Sequence, residues 1–296
     1  MKYITVTLNP VIDRMYTLQA PFKVSGLNRT DAMSEVVYSG KGINVSRELF
    51  RLGVDSKVMC ILQGDDGETA YRSMVREDLN LFAIRCRGRM RNNISIMDPM
   101  GVAVEVNEPG CEVPFDEVVN FLAMYDKAVS TPDEKTVIIS GSTPPGFRKD
   151  IYKMLIMNAK KHGCKTILDA DGDLLKSGME ARPSLIKPNE FELSALVGQS
   201  FSKNEDMARN EALAAAALIY EKTGVEVLCT LGEKGSVFVG EAGSYICPAK
   251  QAQIKKFKGA GDMYLARFIY EHYELRKSVL ESLRLASEKT ARNLEK

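Results

Sequence analysis

The four residues Gly259-Ala260-Gly261-Asp262 stand at the mouth of an apolar run, Met263-Tyr264-Leu265-Ala266-Arg267-Phe268-Ile269. That run reads as a helix, so the glycines supply its N-terminal turn. Residues without side chains let a ligand come close to the backbone. The first-turn N–H groups and the positive end of the helix dipole make such a turn a place for an anion. Asp262 is then a carboxylate beside an anion site. A base next to a cradle for developing negative charge is what moving a phosphoryl group onto a hydroxyl needs. The other reading of Asp262 is a plain helix cap, a common role for aspartate.

A second glycine-rich helix start lies at Ser39-Gly40-Lys41-Gly42-Ile43-Asn44-Val45-Ser46, with a helix running on through Leu49 and Leu52 to Gly53. It is not a Walker A loop, because Gly42 rather than Ser or Thr follows Lys41. It also lacks the third glycine of a dinucleotide fingerprint. Lys41 between two glycines at a helix start favours an anion contact over the solvated surface position usual for lysine. In a helix turning about 100° per residue, Asp262 falls at the margin of the stripe made by Leu265, Phe268, Ile269 and His272. A carboxylate at the edge of a buried face is partly desolvated, which raises its pKa toward that of a useful base.

These residues need a scaffold, and the chain predicts one. Lys2 to Leu8 is a β-branched run that stops at Asn9-Pro10, with Asp13 in the loop that follows. Residues 14–38 and 84–110 alternate weakly, without a helical period, and read as short strands of a small second sheet. Lys57 to Leu62 is a buried-type strand, followed by Gly64-Asp65-Asp66-Gly67 and a helix to about Asp78. Beyond residue 112, helices over about 115–128, 149–162 and 205–222 alternate with the strands Thr136–Ile139, Thr166–Leu168, Ser184–Ile186 and Val225–Cys229. Such alternation predicts a parallel sheet covered on both faces. Asn9 and Asp13, Ser140 and Ser142, Asp169 and Asp171, Lys187 and Asn189, and Thr230 all fall just past strand carboxyl ends. Each alone is an ordinary turn residue. Together they mark the edge where open α/β sheets bind ligands.

Composition removes several alternatives. The 296 residues carry 40 basic and 39 acidic side chains, so no sequence-wide electrostatic footprint for nucleic acid or anionic membrane exists. The six cysteines form no CxxC pair and only His162 and His272 are present, which argues against zinc and for reduced core thiols. No leader-like segment opens the sequence and no apolar run is long enough to span a bilayer, so a cytoplasmic protein is expected.

Taken together, the motifs resemble the PfkB (ribokinase-like) carbohydrate kinases, in the branch with 1-phosphofructokinase and tagatose-6-phosphate kinase. Thr7-Leu8-Asn9-Pro10-Val11-Ile12-Asp13 resembles that branch's opening, Gly40 to Val45 its first signature and Gly259 to Asp262 the heart of its second. Arg91-Asn92-Asn93, Ser140-Gly141-Ser142-Thr143-Pro144-Pro145-Gly146 and Lys187-Pro188-Asn189-Glu190-Phe191-Glu192 resemble further segments, all in the family's order. The resemblance implies a three-layer α/β kinase body over residues 1–13, 39–87 and 111–296. A β lid over 14–38 and 88–110 would cover the sugar, and such lids often pair across a dimer. It implies ATP and a sugar phosphate as ligands, with Mg²⁺ as cofactor. Asp262 would be the general base, and the turn of Gly259, Ala260 and Gly261 the anion hole. Asp13, Gly40, Lys41, Gly42, Asn44 and Ser140 would hold the sugar and Arg91 its phosphate. Lys187, Asn189, Thr230, Gly232 and Gly235 would line the nucleotide side, and Glu192 with Asn189 would organise Mg²⁺ through water.

The sequence departs from that family around the second signature. Phe257 replaces the usual Thr, Lys258 the usual Val or Ala, and Met263 the usual Ser; Lys255, Lys256 and Lys258 crowd the turn. These changes speak against the monovalent-cation site of some relatives. Arg267 replaces a small residue, Ser39 replaces the first glycine of the GGKG signature, and no small-residue segment bordering adenine is recognisable. Two functional classes follow: an active kinase of a phosphorylated ketohexose, and a relative that binds sugar phosphate or nucleotide without turnover. A kinase of nucleosides or unphosphorylated sugars fits less well, because Lys41 and Arg91 would lack a phosphate to meet.

Overall fold

A computed structural model describes residues 2–30, 32–131, 134–250 and 259–295. The chain runs through β1 (Tyr3–Thr7), β2 (Val11–Thr17), β3 (Glu35–Ser39), α1 (Lys41–Arg51), β4 (Ser56–Gln63), α2 (Gly64–Arg76) and β5 (Asn80–Cys86). A hairpin of β6 (Arg91–Asp98) and β7 (Gly101–Asn107) follows. Helices and strands then alternate: α3 (Phe115–Val129), β8 (Thr136–Ser140), α4 (Ile151–Lys161), β9 (Lys165–Asp169), α5 (Gly172–Glu180) and β10 (Leu185–Ile186). Next come α6 (Glu190–Val197), α7 (Glu205–Thr223), β11 (Glu226–Thr230), β12 (Ser236–Gly240), β13 (Gly243–Cys247), α8 (Ala260–Ile269) and α9 (Val279–Leu294).

The main sheet has the order β13-β12-β11-β10-β9-β8-β1-β4-β5. It is parallel from β11 to β5, with β12 and β13 antiparallel at one edge. Side chains alternate between two cores, as the two-residue period of a strand requires. Ile4 and Val6, Val137 and Ile139 face one core with α3 to α7; Tyr3, Ile138, Ile167 and Leu185 face the other with α1, α8 and α9. This is the expected α/β body of three layers with a mostly parallel sheet. The chain leaves β1 toward β4 on one side and later adds β8 on the other. The strand order therefore reverses at β1 and β8, and a crevice opens outside their carboxyl ends.

The smaller sheet has the order β3-β2-β6-β7. Its register sets Val11 between Ser39 and Arg91, and Asp13 beside Asn93. Two sequence expectations need correction here. Asp13 lies within a strand rather than a loop, because β1 ends at Thr7 and pairing with β3 and β6 begins directly after Pro10. Residues 84–86 belong to β5 at the edge of the main sheet, not to the small sheet. An edge strand covered on one face alternates as a small-sheet strand does, so the pattern alone could not separate them. Gly64 to Gly67 form the first turn of α2, which therefore starts directly from the end of β4.

Helix α1 packs closely on β1. A Cβ on Gly42 would fall 2.6 Å from Thr7 Oγ1 and 3.0 Å from the Val6 carbonyl oxygen, so no larger residue fits without moving the helix. Ser46 joins the two strands beneath through Thr5 Oγ1 and Ser56 Oγ, each at 2.7 Å. Helix α8 is tied to α1 by an ion pair: Arg267 Nη2 lies 2.6 Å from Oε1 of the buried Glu48. Arg267, which departs from the family's small residue, thus neutralises a charge inside the helix layer. Arg267→Ala is expected to cost about 2–3 kcal/mol in urea unfolding, because among the described residues Glu48 keeps only the exposed Arg51, at 3.5 Å. An unchanged midpoint would show that the pair contributes nothing. Among the described residues, no helix is long and apolar enough to cross a membrane.

Candidate active site

The carboxyl ends of β1, β8, β9 and β10 converge with the N-termini of α1 and α8. Gly259 caps α8 in the left-handed region at φ 79°, a conformation that suits glycine. Asp262 is not the cap: it sits in the first turn, and no side-chain capping bond is made there. Its carboxylate is buried and accepts a 2.8 Å hydrogen bond from Asn44 Nδ2 of α1. Burial, helped by the negative Asp169, pushes its pKa up to about 7, against the pull of Asn44, Lys187 and Lys41. A base poised near neutrality follows from this environment.

Asp169, at the end of β9, is the electrostatic centre of the site. It is fully buried between Lys41 Nζ at 2.9 Å and Lys187 Nζ at 3.1 Å. Burial opposes its charge, but Lys187 and Lys41 outweigh that cost and hold its pKa below the usual carboxylate range. Desolvation likewise works against the charge on Lys41, and Asp169 with Glu192 overcomes it, so the ammonium is held above its usual range. A Cβ on Gly261 would lie 3.6 Å from Lys187 Nζ, which places this ammonium beside the glycine turn. Cation, first-turn amides and Asp262 therefore meet at one point.

Asn189 caps α6, accepting from Glu192 N at 2.9 Å, while Glu192 Oε2 accepts from Asn189 N at 2.8 Å. This reciprocal box occupies one Glu192 oxygen and leaves Oε1 4.0 Å from Lys41. Burial raises the Glu192 pKa, with Lys41 opposing. Thr230, at the end of β11, bridges to Asn189, and Gly232 and Gly235 bound the short turn that follows. These residues form one continuous edge with Lys187. Among the described residues, no group of three or more His, Cys, Asp and Glu is arranged to hold a metal. A hydrated magnesium ion held by one carboxylate and by substrate phosphates does not need such a group. Glu192 Oε1 is a donor of the right chemistry.

On the other side, Arg91 Nε donates to the Asn9 carbonyl at 3.2 Å. Burial lowers the Arg91 pKa, while Asp13 and Asp171 support its charge. Ser39, standing where the family has glycine, donates a short hydrogen bond to Asp13. Gly40 and Gly42 carry α1 against Thr7. Ser140 is fully buried at the end of β8, and its Oγ has no hydrogen-bond partner among the described residues. The sequence-based candidates thus fall into two groups on either side of Asp169 and Asp262: Asp13, Gly40 and Arg91 toward the small sheet, Asn189, Thr230, Gly232 and Gly235 toward β11. Lys255, Lys256, Phe257 and Lys258 lie outside the described residues.

Sequence reasoning noticed Asp169 as a polar strand end but not its bridging of two lysines, which come from points 128 positions before and 18 after it. It passed over Tyr152, whose hydroxyl donates toward the carbonyls of Ser140, Gly141 and Ser142 at 3.1–3.4 Å and shapes that turn. A tyrosine on the apolar face of α4 carries no local signal of such a task.

A 1-phosphofructokinase of Bacillus subtilis (strain 168) is 28% identical over 265 residues, which cover 90% of this chain and 84% of that protein. The crystal structure of phosphofructokinase-2 from Escherichia coli in complex with fructose-6-phosphate superposes with a TM-score of 0.85 at 23% identity, covering 99% of this chain and 93% of that one. That of a possible 1-phosphofructokinase from Thermotoga maritima gives 0.83 at 26% identity, covering 100% and 92%. These likenesses place the fold among the ribokinase-like kinases. The pattern of the pfkB family carbohydrate kinases matches residues 122–292. That match takes in more than half of the chain and carries through the Gly259–Asp262 turn, so the protein belongs to the pfkB family of carbohydrate kinases.

Proposed function

We propose that this kinase transfers the terminal phosphoryl group of ATP to a free hydroxyl of a phosphorylated ketohexose, with fructose 1-phosphate its preferred acceptor. The observation that carries the reading is a carboxylate with a pKa of about 7 in the first turn of α8, beside Lys187 and the glycine turn. The acceptor hydroxyl gives its proton to Asp262 as its oxygen bonds to phosphorus, and the bond to the ADP oxygen breaks. Amides of Ala260 and Gly261, freed by Gly259, face the charge on the transferring group, and Lys187 supplies a cation beside them. Asp13, Gly40, Gly42, Asn44 and Ser140 shape the sugar side, where Arg91 meets the phosphate already on the sugar. Lys41, held by Asp169, binds the sugar with them. Lys187, Asn189, Thr230, Gly232 and Gly235 border the nucleotide. Magnesium, when bound, would neutralise phosphate charge there, held by Glu192 and Asn189 through water. The small sheet acts as a lid, and two copies pair through it.

The test is ADP release with ATP-magnesium and fructose 1-phosphate, fructose 6-phosphate, tagatose 6-phosphate or the free sugars. Turnover is expected with the phosphorylated ketohexoses, fastest with fructose 1-phosphate. No turnover with any of them, while the same compounds still raise the melting temperature, would replace this reading with ligand binding alone. Arg91→Ala is expected to raise KM for the sugar phosphate by ~10–100-fold, since a charge-assisted guanidinium–phosphate contact is lost. An unchanged KM would remove Arg91 from the phosphate site.

A further inference from the structure

Arg47 stands in the second turn of α1 and is bonded to Asn44, one of the residues assigned to substrate. Its Nη1 donates to Asn44 Oδ1 at 3.0 Å. Its Nη2 donates to the Tyr38 carbonyl of β3 at 3.0 Å and to Glu77 Oε1 at 3.2 Å, while Nε lies 2.5 Å from Glu77 Oε2. The guanidinium is therefore held as a fork by the residue that ends α2 and pinned to the small sheet. Its side chain is only 14% exposed.

An asparagine amide has two chemically opposite faces, a carbonyl that accepts and an NH₂ that donates. A guanidinium has only donors, so Arg47 can be met only by Asn44 Oδ1. That choice leaves Nδ2 for the other side of the amide, where it donates to Asp262 Oδ2 at 2.8 Å. If the amide turned over, Oδ1 would face Asp262 and support the protonated acid instead of the carboxylate. Which protonation state of Asp262 is favoured thus depends on a side chain that never contacts it.

We infer that Arg47 is a positioning residue for phosphoryl transfer: it fixes the Asn44 amide with its NH₂ toward Asp262 and couples that orientation to strand β3 and the end of α2. Tyr38, whose carbonyl anchors the guanidinium, directly precedes Ser39, the residue that donates to Asp13 on the sugar side. A shift of β3 toward or away from the body is therefore passed through Arg47 and Asn44 to the base. The inference rests on Asp262 being that base. The other charged groups that face Asp262 are Lys41 from α1, Asp169 from the end of β9 and Lys187 from the end of β10. None of them contacts Asn44 Oδ1 among the bonds described.

The experiment compares kcat across about pH 5.5–9 for wild type, Arg47→Met, Asn44→Ala, the double variant, Glu77→Gln and Asp262→Asn, with ATP-magnesium and fructose 1-phosphate. Arg47→Met keeps the aliphatic stem and removes the donors. Its acid limb is expected to move up by ~1 pH unit, the value of one hydrogen bond to a carboxylate, with kcat ~10-fold lower near pH 6 and largely recovered near pH 9. KM for ATP stays unchanged. Asn44→Ala moves the limb the same way, and adding Arg47→Met to it moves the limb no further, since both act through one amide. Glu77→Gln loosens the fork without emptying it and gives a smaller shift in the same direction. An unmoved acid limb in Arg47→Met, or additive shifts in the double variant, overturns the inference. Should Arg47→Met fail to fold, Glu77→Gln decides by the same limb. Full turnover in Asp262→Asn would instead end the assignment of the base, a result distinct from an inactive Asp262→Asn with an unmoved limb in Arg47→Met.

Discussion

Asp262→Asn is expected to lower kcat by ~10²–10⁴-fold while raising thermal stability above neutral pH. The kinetic loss follows from replacing the proton acceptor by an amide that cannot take a proton. The gain in stability follows from the same burial that makes the base. Burial and Asp169 raise the Asp262 pKa from 3.8 to about 7, so the folded chain holds a proton there that the unfolded chain releases. Where the native state binds more protons, stability falls as pH rises. The fall begins near the unfolded pKa of 3.8 and is complete above about 7. There the ionised carboxylate costs on the order of 4 kcal/mol, an upper bound set by a shift of about three units. The asparagine carries no such penalty. Melting curves at pH 8 should therefore place the variant above wild type, with the gap closing as pH falls toward the unfolded pKa of 3.8. A variant that keeps its kcat sinks the base assignment, and one that melts lower at pH 8 sinks the account of its pKa. Activity and stability trade against each other at one residue, as they do where a site needs a strained charge.

The parts of this site that local sequence could reveal were those written in local chemistry. Gly259 to Asp262 before an apolar helix, and Gly40 to Gly42 before another, announce backbone turns that approach a ligand or a strand. The structure supplies the particulars: a left-handed Gly259, and a Gly42 with Thr7 in the place of a side chain. Strands and helices were legible where burial on both faces gave unbroken apolar runs, as in β4 and β8. The β12–β13 hairpin at the far edge of the main sheet was passed over, although Val237, Phe238 and Val239 are all buried. The turn Gly240-Glu241-Ala242-Gly243 lies close after β11, and antiparallel pairing at this edge departs from the helix–strand alternation of the rest of the sheet.

What sequence could not give was pairing across the fold. Arg267 read as a departure from its family because the compensating Glu48 lies on another helix, 219 residues earlier in the chain. Lys41 is expected to meet an anion; in the folded chain it is bonded to Asp169, which comes from another strand end. The amide of Asn44, besides any ligand, links Arg47 to Asp262, a bridge between two helices that the sequence does not announce. Each of these facts is a contact between elements brought together only by the sheet order. Periodicity specifies which face of a helix is buried, not which charge will meet it.

Asp169→Asn is expected to have the second large effect, and its signs are opposite to those of Asp262→Asn in stability and of Arg47→Met in the acid limb. The carboxylate is fully buried and binds Lys41 and Lys187 at once, and Lys187 is itself only 5% exposed. Removing one partner of a buried pair leaves an uncompensated charge and costs about 3–5 kcal/mol. Lys41 retains Glu192 at 4.0 Å, so most of the loss falls on Lys187. The Asp169 pKa is depressed in the folded state, so its contribution is present above the unfolded value of 3.8 and lost as pH falls through the folded one. Denaturant midpoints should thus fall well below wild type at pH 7 and approach it only in strong acid. The kinetic sign is opposite to that of Arg47→Met. Asp169 is a like charge that raises the Asp262 pKa, and without it the acid limb of the kcat profile moves to lower pH. Unchanged midpoints together with an unmoved limb would refute Asp169 as the centre of this charge network. Adding Lys187→Gln separates the two effects. With the stranded ammonium gone, stability should recover while the acid limb stays below that of wild type only insofar as the lost Lys187 charge, which itself lowers the Asp262 pKa, does not offset the lost Asp169. The single variant therefore isolates the repulsion between the two carboxylates, and the pair isolates what the buried lysine contributes to holding the base ready.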